Sequence, residues 1–560
     1  MRFAMRGGDM RVVCFGVAVL TACALVAGCG HDSSSGTSFE PGKAQLNPQP
    51  RENLRDGGTL TTSTELVSPQ WNPFHADGTT YTLDQWRWYN PVLAFFTPEG
   101  VYSFNRDYLT DVKKTTEDGK TVVTYSINPR ATYNDGTPID WRSFENTWKC
   151  NRGTDPAFIV NSSDGYDQIE SVTRGTDDKQ AVVRFRGIWA WPDMLFNQLM
   201  HPRIASAEDF NRSYIQNPRA ELGAGPYTVA SYDRNAGTVV FKRNPKWWGK
   251  PGKLDRRVFR QMAPQAAVNA FRNGELDAVD VDKKDLKAQV GSRPGIDLRV
   301  SVRPVATYMV VNLDAPGLRD PRVRQALLAG IDRKTLARIR FTGLGYTEEL
   351  PGSFLLLPFQ PGYRDNVGST ITYDQGRARR LLDEAGWVGD GIRHRADRSD
   401  QRLVLNLPVV GEDAMRQTIA RAIQSMLRQI GVDVVIKVRP DADLAAVVNH
   451  KEFDIFTLGF GWTDPFGVAY LCQFWCTNSP MNGAGAGTPA LDAQIHGVQQ
   501  IPEPAAQIVA ANDVEAKAFG QFSDLPLFDG PTIVAAKRGL ANYGAGMFYV
   551  GPVEDIGWEK

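Results

Sequence analysis

A chain of 560 residues is longer than one hydrophobic core usually serves, so two or three domains are expected. Its 63 basic and 63 acidic residues balance, which gives no electrostatic footprint for a nucleic-acid partner. A small charged ligand remains compatible with zero net charge, since it needs only one or two local countercharges.

At the N-terminus, Arg2, Arg6 and Arg11 precede an apolar run from Val12 to Ala27 that is short for a bilayer span and ends in LVAGC at 25–29. This is similar to a lipobox, the bacterial lipoprotein processing signal. It predicts a signal peptide over 1–28 and Cys29 as the lipid-carrying first residue of the mature chain, with palmitate among its acyl chains; an ordinary secretory peptide cut nearby is the alternative. Residues 29–57 are polar and rich in Ser, Gly and Pro, as a flexible tether would be. Export fits the cysteines. Cys14 and Cys23 leave with the signal, so only Cys150, Cys472 and Cys476 remain beside Cys29, and none has zinc-ligand spacing. Cys472 and Cys476 stand one helical turn apart, roughly 6 Å between Cα atoms, so they read either as a disulfide or as two buried thiols.

Trp71, Tyr81, Trp86, Trp88 and Tyr89 crowd one window, and Trp247 and Trp248 follow; such rings either pack the core or stack on a ligand. From Arg256 the pattern reads strand, helix opened by Pro264 and stopped by Gly274, then strand over 276–281. DVDKKDLK from Asp280 lacks the glycine and ligand oxygens of a calcium loop and reads as a solvated face. A helix begins at Asp320 and Pro321, an N-cap followed by proline in the first turn, and buries Val323, Ala326, Leu327 and Ile331. Another spans 374–386 with Ala378, Leu381, Leu382 and Ala385 on one face.

The clearest pattern comes late. Leu403, Leu405 and Leu407 alternate as a strand, Ile419, Ala422, Ile423, Met426 and Ile430 recur at helical spacing to Gly431, and Val432, Val434, Ile436 and Val438 alternate again. This is a βαβ unit with a right-handed crossover. A second helix over 441–450 leads into FDIFTLGF, which predicts a strand covered on both faces, with Asp464 just beyond its carboxyl end, where open α/β sheets collect ligands. GAGAG at 483–487 reads as a flexible loop. The 256–281 and 403–461 patterns echo each other and suggest two lobes on one plan.

No nucleophile elbow, HExxH, Walker lysine or dinucleotide fingerprint is present, and the six histidines are scattered. No enzyme, metal or cofactor is therefore expected; an exported hydrolase is the weakest reading.

Three segments carry a resemblance: ATYNDGTPIDWRSFENTWK from Ala131, GAGPYTVASYDRNAGTVVFKRNPKWWG from Gly223, and NLDAPGLRDPRVRQALLAGIDR from Asn312. Together they are similar to the extracellular solute-binding proteins of peptide and nickel ABC transporters. The resemblance implies an α/β, two-lobed, hinged periplasmic-binding-protein-like fold. One lobe would comprise 58–77, 201–302 and 530–560, with a subdomain over 78–200 inserted in it; the other would span 303–529. It implies a monomeric, non-enzymatic binder on the outer face of the cytoplasmic membrane that delivers oligopeptides to a permease. A glycan, glycolipid precursor or tetrapyrrole in the same cleft is the alternative. The expected ligand contacts are strand-edge backbone at Ser63, Thr64 and Glu65 in one lobe and Gly459, Phe460, Gly461 and Trp462 in the other. The family's GWxADYxDP-like stretch is shortened here to Gly461–Pro465, leaving Asp464 to match either acidic position. Asp464 is read either as the partner of a ligand ammonium or as a turn former capping a nearby amide.

Overall fold

The computed structural model describes residues 42–560 except 292, 441–442, 478 and 480–481, with 445 and 449 described by backbone alone. The signal segment, Cys29 and the first part of the expected tether lie outside the described residues. The rest of that tether is not free: Gln45 bridges to Ala545, Leu54 bridges to Glu559 and is fully buried, and Asn47 Nδ2 donates to Leu540 O at 3.1 Å. One buried leucine and satisfied backbone groups are enough to dock a polar segment whose composition reads as linker.

The first layer is a seven-stranded sheet. Its order is Ile296–Val302, Pro531–Lys537, Ala278–Asp280, Thr59–Thr64, Arg256–Gln261, Thr238–Arg243 and Tyr227–Asp233. Thr59–Thr64 is central and parallel to the strands on either side of it, through Ser63↔Arg260 on one side and Thr62↔Ala278 on the other. The helix Pro264–Arg272 carries the chain across that strand. Proline in its first turn needs no amide partner, and Ala267, Val268 and Phe271 turn inward together because they recur at helical spacing. The segment from Pro531 returns to this sheet from late in the chain, as non-consecutive order requires.

Residues Val305–Val311 centre a second, three-stranded sheet, antiparallel to Ile455–Gly461 and Asp524–Phe528. Two short connections join the sheets, Arg303–Pro304 and Asp529–Gly530. They lie side by side, with Arg303 N donating to Gly530 O at 2.9 Å. Glu348 clamps one of them, its carboxylate accepting from the amides of Asp529 and Gly530 at 2.8 Å each. Adjacent strand connections of this kind are what a hinge between two lobes requires.

The late βαβ unit forms as its periodicity indicates. Val404–Val410 runs parallel to Asp433–Arg439, and the helix Ala414–Gln429 between them buries Ile419, Ile423, Met426 and Leu427. Asp413 caps that helix by accepting from the amides of Met415 and Arg416. The strand after it departs from expectation. Ile455 and Phe456 are buried, but Gly459 and Gly461 are exposed, and the strand sits at its sheet's edge, antiparallel to its partner. Glycines cannot bury apolar surface, so the run is covered only where Ile and Phe stand.

Residues 102–200 hold a separate four-stranded antiparallel sheet, ordered Leu109–Glu117, Lys120–Ile127, Gln180–Phe185 and Ile169–Arg174. The helix Trp141–Asn151 packs on it through Phe144 and Trp148, and Asp140 caps that helix. The GAGAG segment is packed rather than loose. Ala484 and Ala486 are buried, the Ala484 carbonyl accepts from Leu313 N at 3.0 Å, and a side chain at Gly487, whose φ is +106°, would strike the Trp475 carbonyl. Cys472 and Cys476 are joined by a disulfide, while Cys150 is a free, buried thiol pushed up to about 12 by burial.

Candidate functional site

A cleft of about 550 Å³ opens between walls drawn from three parts of the chain: the helix Thr80–Tyr89 with residues 94–96 and 151–198, the turn Trp462–Tyr470, and the segment Met547–Val550. No group of three or more His, Cys, Asp or Glu that could hold a metal occurs among the described residues. No described helix is long and apolar enough to cross a membrane.

The helix wall follows from a period of 3.6. Thr82, Gln85, Trp86 and Tyr89 recur at i, i+3, i+4 and i+7 and are buried, whereas Thr80, Leu83, Asp84 and Arg87 recur at the same spacing on another face and line the cleft. The aromatic cluster is therefore core: Trp71, Trp86, Trp88 and Tyr89 pack against Tyr214, Tyr227 and Phe241. Tyr81 stands apart, its hydroxyl donating to Glu65 Oε2 at 3.0 Å. Trp247 and Trp248 pack on Tyr108. Asp84 and Arg87 form a loose pair, Nη1 to Oδ1 3.5 Å, and both are open to the cleft, with 58% of the Asp84 side chain and 24% of that of Arg87 accessible. Protein surrounds them beyond the cleft, so burial raises the Asp84 carboxyl and lowers the Arg87 guanidinium. Cleft water still reaches both side chains.

The opposite wall is built around Asp464. Its Oδ1 accepts from Phe466 N at 2.9 Å and its Oδ2 accepts from the Tyr470 hydroxyl at 2.9 Å. The first bond is the turn-forming contact expected of an aspartate before proline. Burial pushes the carboxyl above the ordinary range, opposed by these two donors, which favour the ion. The turn packs Phe466 against Phe96 and Trp191, at ring-centroid distances of 5.8 and 6.0 Å. The main chain at Gly100, with φ +88°, comes so close that any side chain there would strike Pro465. Gln473 Nε2 donates to Asp164 Oδ2 at 2.8 Å and Trp191 Nε1 donates to Gln507 Oε1, so polar bonds also bridge the walls. Trp462 is held by its indole N–H donating to Phe354 O at 3.0 Å.

The sequence-expected contacts divide. Trp462 and Asp464 line the cleft. Gly459, Phe460 and Gly461 lie on the adjoining edge strand, where a Cβ at Gly459 would meet nothing within 4 Å. Ser63 and Thr64 pair with Arg260 and Gln261 on one side, and the Thr64 carbonyl accepts from Met262 N at 3.0 Å; on the other side the strand's pairing is at Thr62↔Ala278, before either residue. Neither they nor Glu65 is among the residues lining the cleft. Thr59–Thr64 is central because segments from distant parts of the chain pair on both sides of it, the neighbour Ala278–Asp280 meeting it at Thr62. Arg87, Asp84 and Phe466 went unread. The polar residues Thr80, Asp84 and Arg87 at helical spacing were a signal, masked by the tryptophans beside them.

Two packed sheets joined by paired strand connections, closing on a cleft lined from both sides, define a two-lobed ligand binder of the periplasmic-binding-protein type. The chain belongs to the bacterial extracellular solute-binding proteins, family 5, whose model matches residues 105–482. It is 32% identical over 549 residues to the oligopeptide-binding protein OppA of Mycobacterium tuberculosis, covering 94% of this chain and 90% of that one. It is 24% identical over 465 residues to a probable monoacyl phosphatidylinositol tetramannoside-binding protein, LpqW, of the same species, covering 76% and 71%. Among solved structures, a periplasmic EDTA-binding protein, EppA, matches with a TM-score of 0.83 at 24% identity, covering 92% of this chain and 98% of that one. The oligopeptide-binding protein AppA of Bacillus subtilis, with a nonapeptide, matches with 0.71 at 15%, covering 90% and 100%.

Proposed function

We propose that the protein captures oligopeptides in the cleft between its lobes, without turning them over, and hands them to an ABC permease while held to the outer face of the cytoplasmic membrane through Cys29. The observation that carries the ligand reading is the lining of the cleft: three carboxylates, Asp84, Asp164 and Asp464, against one guanidinium, with aromatic walls from Trp462, Tyr470, Phe548 and Tyr549. An excess of carboxylates in an enclosed site suits a ligand with a free ammonium, and the rings suit side chains of many kinds. The kinship with an oligopeptide-binding protein over most of both chains supports the same reading. The tetramannoside-binding relative supports the alternative of a glycolipid, which the aromatic walls would also accommodate. A neutral glycan leaves the carboxylates without a countercharge, and we therefore rank it second. For the lobes, the boundaries 58–77, 201–302 and 530–560, the insert 78–200 and the second lobe 303–529 are supported by the two connections at 303–304 and 529–530.

Asp464 is the proposed ammonium partner. A carboxylate offers about four lone-pair directions; Phe466, Tyr470 and the Thr463 side chain use three, which leaves one for a ligand. The backbone edge at Gly459–Trp462 is the proposed site for main-chain pairing with the peptide. Random tetrapeptides with free amino groups, and the same pool N-acetylated, distinguish these roles when retention on the purified protein is quantified by mass spectrometry. Asp464→Asn should lower retention of the free pool about tenfold, ~1.4 kcal/mol, with the acetylated pool held weakly by both proteins. Equal retention of the free pool by parent and variant would leave Asp464 a turn former only.

A further inference from the structure

One charged side chain of the cleft has only a loose partner among the described residues. Arg87 is the sole cation lining it among the described residues. Its only described partner is Asp84, at a distance of 3.5 Å that is too long for a good charge-assisted bond, and its Nε has no acceptor among the described residues. Every other charge on the cleft wall that could compete is acidic and, unlike Arg87, Asp464 and Asp164 already receive hydrogen bonds at 2.8–2.9 Å.

A guanidinium carries five donors in a planar fork that matches a carboxylate. Leaving most of them unmatched at a cleft wall is unfavourable once closure removes water, unless the ligand brings an anion. The fork is held in place from behind. Arg87 lies in the last turn of a helix whose neighbouring residues Trp86, Trp88 and Tyr89 are buried in the core, so the backbone that carries it has little freedom. Asp84, one turn earlier on the same face, keeps the cation neutralised while the cleft is empty, and its own carboxylate is the group a ligand anion must compete with.

We propose that Arg87 reads the ligand's free carboxylate and is a specificity-determining residue of the cleft, with Asp84 as an internal competitor that weakens anion binding. This rests on the peptide reading above and sharpens it: the preferred ligands are peptides with both termini free. The carboxylate of an acidic side chain offers the same chemistry as a C-terminus, and the test separates the two sources.

The experiment uses the full purified chain and three tetrapeptide pools with free amino groups: C-terminal acids lacking Asp and Glu, the same pool as C-terminal amides, and amides containing one Glu. Retention is quantified by mass spectrometry, and folding is checked by thermal melting. The parent should prefer the acid pool over the plain amide pool by about tenfold or more. Arg87→Gln should abolish that preference, Arg87→Lys should keep part of it, and Asp84→Asn should enlarge it. Preference for the Glu-containing amides over the C-terminal acids would assign the same Arg87 contact to a side chain instead. Should Arg87→Gln fail to fold, the acid-to-amide ratio in the parent and in Arg87→Lys still decides. Equal retention of all three pools by the parent overturns the role of Arg87 and leaves peptide binding standing. Retention of none of them overturns both.

Discussion

The two walls of the cleft treat charge differently. On the turn Trp462–Tyr470, Asp464 is tied into its own loop by an amide and a hydroxyl, so its first task is to shape the wall and present Phe466. On the helix Thr80–Tyr89, Asp84 and Arg87 have only a loose contact with each other and face the cleft. Asp464 shapes its wall while keeping acceptor capacity for a ligand, whereas Arg87 keeps most of its donors unmatched. The contrast assigns closure mainly to the turn and discrimination mainly to the helix.

The largest effect should come from the turn's apolar contact. Phe466 is buried in contact with Phe96, Trp191 and Met194, so Phe466→Ala should lower the unfolding free energy by about 3 kcal/mol and expand the particle in small-angle scattering. An unchanged scattering profile would show that closure does not depend on this contact. Behind the same wall, Glu515 is buried and accepts from Ser353 Oγ, Phe354 N and Asn366 Nδ2 at 2.6–2.7 Å, fixing the segment whose Phe354 carbonyl holds Trp462. Burial pushes its carboxyl up to about 7 in spite of these donors. Glu515→Gln puts an amide N–H against groups that already donate and should cost about 2 kcal/mol in urea unfolding.

The smallest effect concerns the helix wall and pH. Glu554 and Arg87 line one small internal space, and burial pushes the Glu554 carboxyl up to about 7. Its unfolded value is about 4.3. Between those two values the folded state binds more protons, so this group's contribution to stability is fully present below pH ~4.3 and lost as pH rises through ~7. Glu554→Gln should therefore gain on the parent more at pH 8 than at pH 5 in denaturant midpoints. A gain of equal size at both pH values would mean that Glu554 titrates in the ordinary range.

Much of the fold was legible because its signals are local. The βαβ unit over 404–439 follows from alternation, helical spacing and Gly431, and the helix after Asp320 follows from its cap and Pro321. Pairing partners were not legible. Ser63 and Thr64 look like any strand end, and only the return of distant segments makes their strand central. The same holds for residues 42–57, where composition suggests a tether and the buried Leu54 decides otherwise. At the site, Asp464 stood out because it is a lone carboxylate after an apolar run. Arg87 did not, since its importance comes from lacking partners, a property that exists only once the walls are assembled.

The central claim is that the cleft carries peptides, and native mass spectrometry of the full chain, purified gently from cells that produce it, tests it most directly. A ladder of bound masses that fragment into amino-acid residues is expected, and it should disappear after unfolding and refolding. A single bound species that fragments into hexoses or acyl chains would contradict the peptide assignment while leaving the fold and the cleft as described.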